Sequence, residues 1–309
     1  MSVTYNFNYI ITIHNKENLI NDVISSVIQV CGNNSKIYPV LDGCTDRSEQ
    51  IIDEIILKTN VPIIKLYAPN VHEIKSINVG LRGSCQDGYG FNILLQDDVL
   101  LKEKDFEKNI IKIYDSIGYD QVGVLAFRHG VNVILNPTLE EIEETNVIES
   151  YYGHGFQENI LFPGMLVNRM IGVRSPECLS FGVVNKIGFM DENLAPYTYD
   201  NHDYSLRCLE KGFKNYVYSV KFESDVKWGG MRKNPHPDVE SVMRRNRKYL
   251  YNKHNNLINS LNSLAEYNVD NIRPFSIIGI PNIKVRRKLN IRFKVRSFIS
   301  KVRNYIKRL

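Results

Sequence analysis

The chain has 309 residues, 43% apolar and 24% charged, with a formal net charge of +5; this is the balance of a globular protein, long enough for one large domain with appendages or for two domains. No apolar run approaches the roughly 18 residues of a spanning helix, and the start, Met1-Ser2-Val3-Thr4-Tyr5-Asn6, lacks the basic-then-apolar layout of a secretory signal. The five cysteines are odd in number, scattered and without C-x-x-C spacing, which predicts reduced thiols in the cytoplasm and speaks against disulfides or structural zinc.

Residues 8–128 alternate short apolar runs with amphipathic patterns. Tyr9 to Ile13 predicts a strand; Leu19, Ile20, Val23, Ile24, Val27 and Ile28 then repeat at helical spacing. Ile37 to Leu41 predicts a second strand, and Ile51, Ile52, Ile55 and Ile56 the buried face of a second helix, which Asp46 or Ser48 can cap. Ile63 to Tyr67 is a third strand, followed by a helix through Leu81. Phe91 to Leu95 is the fourth, Phe106 to Tyr114 is helical, and Val122 to Phe127 is strand again. This alternation predicts an α/β fold, a mostly parallel sheet flanked by helices.

From 129 to 175 the pattern weakens. Glu140 to Glu144 reads as an exposed acidic helix, and Tyr151-Tyr152-Gly153-His154-Gly155 as an aromatic loop suited to a pocket wall. Asp203 to Gly212 fits a helix ending at a glycine. Helical pieces with proline breaks follow, so the division expected is a main domain over 1–235 and a C-terminal helical extension over 236–309. Residues 284–309 hold eleven Lys or Arg and no acid, which leaves the rest of the chain net acidic. There Ile291, Val295, Phe298, Ile299, Val302, Tyr305, Ile306 and Leu309 share one helical face. A basic amphipathic helix of this kind lies on an anionic membrane surface or docks on protein. Its continuous apolar stripe argues against a nucleic-acid partner.

The most telling segment is Gln96-Asp97-Asp98-Val99. Two carboxylates just past a buried strand stand where open α/β sheets bind ligands. They repel each other unless a cation or substrate shares them, and Mg²⁺ takes one or two carboxylates with phosphate oxygens completing its shell. The same residues also fit a solvated strand-end turn. The first strand exits through Thr12-Ile13-His14-Asn15-Lys16-Glu17, which contains no glycine, so the dinucleotide fingerprint G-x-G-x-x-G is absent there; no G-x-x-x-x-G-K-[ST] loop occurs anywhere.

Five stretches in order resemble the family-2-type inverting glycosyltransferases, nucleotide-diphospho-sugar transferases with the Rossmann-like GT-A fold. Thr12-Ile13-His14-Asn15 is similar to P-x-Y-N, and Leu41-Asp42-Gly43-Cys44-Thr45-Asp46 to D-D-G-S-T-D. Gln96-Asp97-Asp98-Val99 is similar to D-x-D or N-P-D-V, and Ile187-Gly188-Phe189-Met190-Asp191-Glu192 to G-G-F-D-E. Asp200-Asn201-His202-Asp203-Tyr204-Ser205-Leu206-Arg207 is similar to E-D-x-D-L-x-x-R. The likeness covers about residues 8–235.

The resemblance implies transfer of a sugar from a nucleotide-sugar donor to a hydroxyl acceptor with inversion. Thr12, His14, Asn15, Asp42, Asn78, Asp97 and Lys227 would line the donor, and Asp98 would hold Mg²⁺ or Mn²⁺. Asp200, with Asp203 in reserve, would be the base. Trp228 and Gly229 would face the acceptor, although Trp228 fits core packing equally. Departures stand at Ile77 (usually Arg), Gln96 (usually the first acid), Asn201 (the second residue of the E-D pair) and Lys227 (often His); the last implies a weakened metal requirement. With the basic tail, a glycan or lipid-linked acceptor on the cytoplasmic face of a membrane follows, in cell-surface polysaccharide or lipid-linked glycan assembly. Two other readings remain open: a nucleotidyltransferase of related fold, disfavoured by the lack of a glycine-rich basic loop, and a non-catalytic membrane-associated scaffold.

Overall fold

The computed structural model describes residues 4–127, 129–135, 147–151, 165–173, 176–224, 228, 238–261 and 275–276. The first half is a succession of βα units: β1 (Asn6–Ile13), α1 (Ile20–Ile28), β2 (Ser35–Asp42), α2 (Ser48–Ile56), β3 (Leu66–Ala68), α3 (His72–Gly83), β4 (Gly90–Gln96), β5 (Leu100–Leu101), α4 (Phe106–Ile117) and β6 (Val122–Ala126). The strands β7 (His129–Leu135), β8 (Val147–Tyr151), β9 (Met165–Arg169), β10 (Ile171–Val173) and β11 (Glu177–Ser180) follow. Then come α5 (Phe181–Ile187), α6 (Asp200–Glu210), β12 (Lys214–Tyr218), β13 (Phe222–Glu223), α7 (Val239–Leu261) and β14 (Phe275–Ser276).

Among the described residues the main sheet has the order β14-β9-β12-β6-β11-β4-β1-β2-β3. Only β11 and β9 run against the rest, so the expected mostly parallel sheet is present. Its central strands are buried on both faces, as parallel strands covered by helices must be. Tyr9, Ile11 and Ile13 alternate along β1 with Ile10, and all are at most 1% exposed. Helix α3 lies against β1 and β2 through Ile74, Ile77 and Leu81. Gly80 permits the contact, because a Cβ there would collide with Ile10. Ile77, where the resemblance would put an arginine, is 2% exposed, so this position offers the site no cation.

β7, β8 and β10 form a separate antiparallel sheet, and β5 pairs with β13. None of these short antiparallel pieces was expected from the sequence. Residues 1–277 form one compact unit and 278–309 a second; α7, placed above in the C-terminal extension, belongs to the first. The acidic stretch Glu140–Glu144, the loop 152–155 and the basic tail 284–309 lie outside the described residues. No helix among the described residues is long and apolar enough to cross a membrane.

Candidate active site

The strand order creates the site. From β1 the chain steps outward through β2 and β3, then returns to lay β4 on the other side of β1. That reversal is a topological switch point, and ligands of open α/β sheets bind outside the carboxyl ends of the strands that flank it. Here Thr12, half-buried, is paired with both Val40 and Gln96. The loops beginning at His14, Gly43 and Asp97 therefore emerge side by side.

The first two loops staple each other. Asn15, at φ 49°, accepts hydrogen bonds at Oδ1 from the amides of Thr45 (2.8 Å) and Asp46 (3.3 Å). Asp46 accepts from the amides of Glu17 (2.9 Å) and Ser48 (3.0 Å), and Ser48 Oγ accepts from the Lys16 amide (2.7 Å). Burial works to raise the Asp46 carboxyl, but these bonds and the Ser48 hydroxyl hold it below the usual range. Asp46 thus serves the start of α2. Asn15, expected among the donor contacts, spends its carbonyl oxygen on the neighbouring loop. Asp42, 4% exposed, accepts from the Val71 amide (2.7 Å), and its backbone carbonyl meets His14 Nδ1 at 2.7 Å. Gly43 follows at φ 61°, where a Cβ would come within 2.7 Å of Asn70 Cβ; the turn requires glycine.

Asp97 joins this pair of loops to β4. One carboxylate oxygen accepts from the His14 amide (3.0 Å), and the other meets Lys16 Nζ at 3.1 Å. Burial pushes the Asp97 carboxyl up to about 6, Asp98 adds to the rise, and Lys16 and the His14 amide pull against it. Lys16 also donates to the carbonyl of Trp228 (2.8 Å), drawing the half-buried Trp228 to the same edge. Sequence reasoning missed Lys16. Its signal was a cation in a strand-exit loop otherwise facing acids, legible only once β1 and β4 are known to be neighbours. Lys227 and Gly229 lie outside the described residues.

Asp98 is 5% exposed in the turn that closes from Val99 back to Gln96. Among the described residues no three His, Cys, Asp or Glu gather as a metal cage. The oxygen donors on offer are Asp98 and its neighbour Asp97, which Lys16 already engages. That sparse, hard donor set suits Mg²⁺ or Mn²⁺ shared with a diphosphate and is unlike the closed nitrogen and sulfur shells of structural zinc.

The start of α6 reaches the same edge by another route. β11 runs antiparallel to both neighbours, so its first residue, Glu177, stands opposite Leu94 and Ala126, near the carboxyl ends of β4 and β6. Asn201 Nδ2 donates to Glu177 Oε2 (2.6 Å), which anchors the first turn of α6 there, with the buried Asp200 (2% exposed) beside it. Asp203 is fully buried and turned elsewhere. It meets Arg207 (2.7 Å), Lys253 (2.6 Å) and His254 (2.9 Å). Burial opposes its ionisation, but these partners hold it below the usual carboxylate range. Asn78 likewise does not join the set: it is fully buried, bonded to both backbone groups of Met190 and to Glu192.

The sequence profile of glycosyl transferase family 2 matches residues 9–168, more than half of the chain, including the loops after β1, β2 and β4. The chain belongs to glycosyl transferase family 2. Solved structures share its fold. The 1–349 fragment of S. aureus TarS superposes with a TM-score of 0.53 at 17% identity, over 85% of this chain and 73% of that one. The same fragment in complex with UDP-GlcNAc gives 0.53 at 16% identity, over 85% and 71%. GalNAc-T7 with UDP, GalNAc and Mn²⁺ gives 0.53 at 11% identity, over 69% of this chain and 42% of that one. The chain spans 35% of the longer TarS structure. No curated protein matches it by sequence. Family and fold together place the chain among the family 2 glycosyl transferases with the GT-A fold.

Proposed function

We propose that the protein transfers a sugar from a nucleoside diphospho-sugar to a hydroxyl acceptor with inversion at the anomeric carbon. The observation that carries this is the convergence at one sheet edge of Asp42, His14, Lys16 and the Asp97-Asp98 pair with the first turn of α6. Asp42 and His14 receive the nucleoside. Lys16 offers its ammonium to the diphosphate, a role left open by Ile77, and Thr12 and Asp97 shape the floor. A bound Mg²⁺ or Mn²⁺, held by Asp98 and phosphate oxygens, supplies charge neutralisation at the leaving group. UDP is the first nucleotide to test, since UDP and UDP-GlcNAc are bound in structures of the same fold.

Asp200 acts as the base. As the acceptor oxygen bonds to the anomeric carbon, its proton passes to the Asp200 carboxylate, and the bond from that carbon to the diphosphate oxygen breaks with the electron pair leaving on the nucleotide. A single displacement from the opposite face inverts the centre. Asp203, spent on its cations, anchors α6 and takes no proton. Trp228 borders the acceptor side; Lys227 keeps its assignment to the donor and Gly229 its assignment to the acceptor from the sequence resemblance alone. The basic composition of 284–309 supports a lipid-linked or surface-glycan acceptor at an anionic membrane, each Lys or Arg adding about 1 kcal/mol of attraction.

Incubation with UDP-, GDP-, dTDP- and CMP-sugars, with product configuration followed by proton NMR, tests the reading. Nucleotide release with an inverted product, reduced about 10²- to 10⁴-fold in Asp200→Ala, is expected. Retained configuration contradicts the single displacement. No release from any donor favours the non-catalytic scaffold.

A further inference from the structure

The segment leading into α6 holds a backbone state that its own residues disfavour. Thr198 (φ 75°) and Tyr199 (φ 64°) both occupy the left-handed region, an outlier conformation for β-branched and bulky side chains. Asp200 comes next, as the first residue of the helix, and no side-chain hydrogen bond caps the helix at Tyr199. Such states persist only where the surroundings over-determine them, and they concentrate at functional sites.

Besides the Ile74 amide of α3, which donates to the Pro196 carbonyl, the long-range side-chain partners of this loop come from one distant stretch of α7. Asn246 is fully buried, and its Nδ2 points at the carbonyls of Leu194 (2.7 Å), Tyr197 (2.9 Å) and Thr198 (3.1 Å). Arg245 donates to the carbonyl of Ala195 (2.5 Å). Arg247 donates through Nε to the Tyr199 hydroxyl (2.9 Å), and its guanidinium lies 5.7 Å from the ring centroid. Three successive residues therefore grip the loop 194–199, and it is chiefly backbone carbonyls that they grip. An amide nitrogen at 246 answers that need as a donor; a carboxylate there would present only acceptors. Seven residues further on, Lys253 and His254 fix Asp203, so the same helix also holds the body of α6.

We propose that Asn246 and Arg247 are positioning residues: by locking the left-handed pair Thr198-Tyr199 they fix where the Asp200 carboxylate meets the acceptor hydroxyl. This rests on the assignment of Asp200 as base. It also predicts a division of labour. The donor contacts come from the loops after β1, β2 and β4, so loosening the grip slows turnover and leaves donor affinity intact.

The test uses the full chain and whichever nucleotide-sugar turns over in the wild type. Arg247→Met and Asn246→Ser lower kcat by about 10- to 100-fold, as small misplacements of a reacting group do. Donor KM and UDP affinity stay within about twofold, the pattern of a contact felt only in the transition state. Hydrogen exchange rises across 194–203 and not across 14–17 or 43–47. Arg247→Lys restores part of the rate, and Asn246→Asp restores none. Arg247 lies at the surface, so Arg247→Met keeps the test sound if the Asn246 variants fail to fold. Wild-type kcat in Arg247→Met, or a loss matched by an equal loss of UDP affinity, overturns the proposal. Full activity in Asp200→Ala overturns the base assignment and the proposal with it; a dead Asp200→Ala beside a fully active Arg247→Met overturns the proposal alone.

Discussion

At the ends of β1, β2 and β4 the loops hold one another. Asn15, Asp46 and Ser48 answer backbone amides across a narrow gap, and Lys16 and Asp97 close the set. At the start of α6 the loop is held from outside, by Asn246, Lys253 and His254 on a helix some 50 residues later. The difference teaches where each region is vulnerable. The proposed donor side depends on short-range backbone geometry, and the proposed base side depends on buried charges and amides delivered by tertiary packing.

The largest expected effect is on the base side. Replacing Lys253 and His254 together by Met and Leu leaves Asp203 buried with Arg207 as its remaining cation among the described residues, and removing partners from a buried charge costs about 3–5 kcal/mol. Urea denaturation of the double variant should show that loss without a change in UDP affinity. Acid probes the same network. Burial works against Asp203 and Asp191, but Arg207, Lys253 and His254 for the first, and Lys253, Tyr249 and the Asn193 amide for the second, hold both carboxyls below their ordinary values. Their stabilisation is present above the unfolded carboxylate pKa, about 3.9, and is lost as pH falls through the lower folded values. Protection against hydrogen exchange across α6 and α7 should therefore fall on acidification ahead of that across α1, whose buried face carries no carboxylate.

An intermediate effect belongs to Lys16→Met. Losing a charge-assisted contact of about 1.5–3 kcal/mol weakens nucleotide binding by about 10- to 100-fold, read by titration calorimetry, with kcat at saturating donor changed far less. The smallest belongs to Asn15→Ala, which unpairs the Thr45 amide and costs about 1 kcal/mol; faster exchange at 43–47 with little change across 194–203 would keep the two regions distinct.

The legibility of the sequence follows the same division. Tyr9–Ile13 and Phe91–Leu95 announce their strands because each βα unit writes its period locally, and Asp98 stands out because a strand ends just before it. β11 has four residues, opens on Glu177 and runs antiparallel, so nothing in its local pattern distinguishes it from loop. Asn78 and Asp203 carry the family's spacing, yet their partners, Met190 and His254, are 112 and 51 residues away. Residue type announces a polar group; only packing decides whether a ligand or the protein answers it.

The most direct test of a nucleotide-sugar site organised by Asp98 is thermal stabilisation by UDP, GDP, dTDP and CMP, each with and without Mn²⁺. Saturating a native-state site at about 100 times Kd raises stability by about 2.7 kcal/mol. The account predicts that one nucleotide raises Tm, more with Mn²⁺ than without, and that the Mn²⁺-dependent part vanishes in Asp98→Ala. No shift with any nucleotide, or a shift untouched by Asp98→Ala, would contradict it.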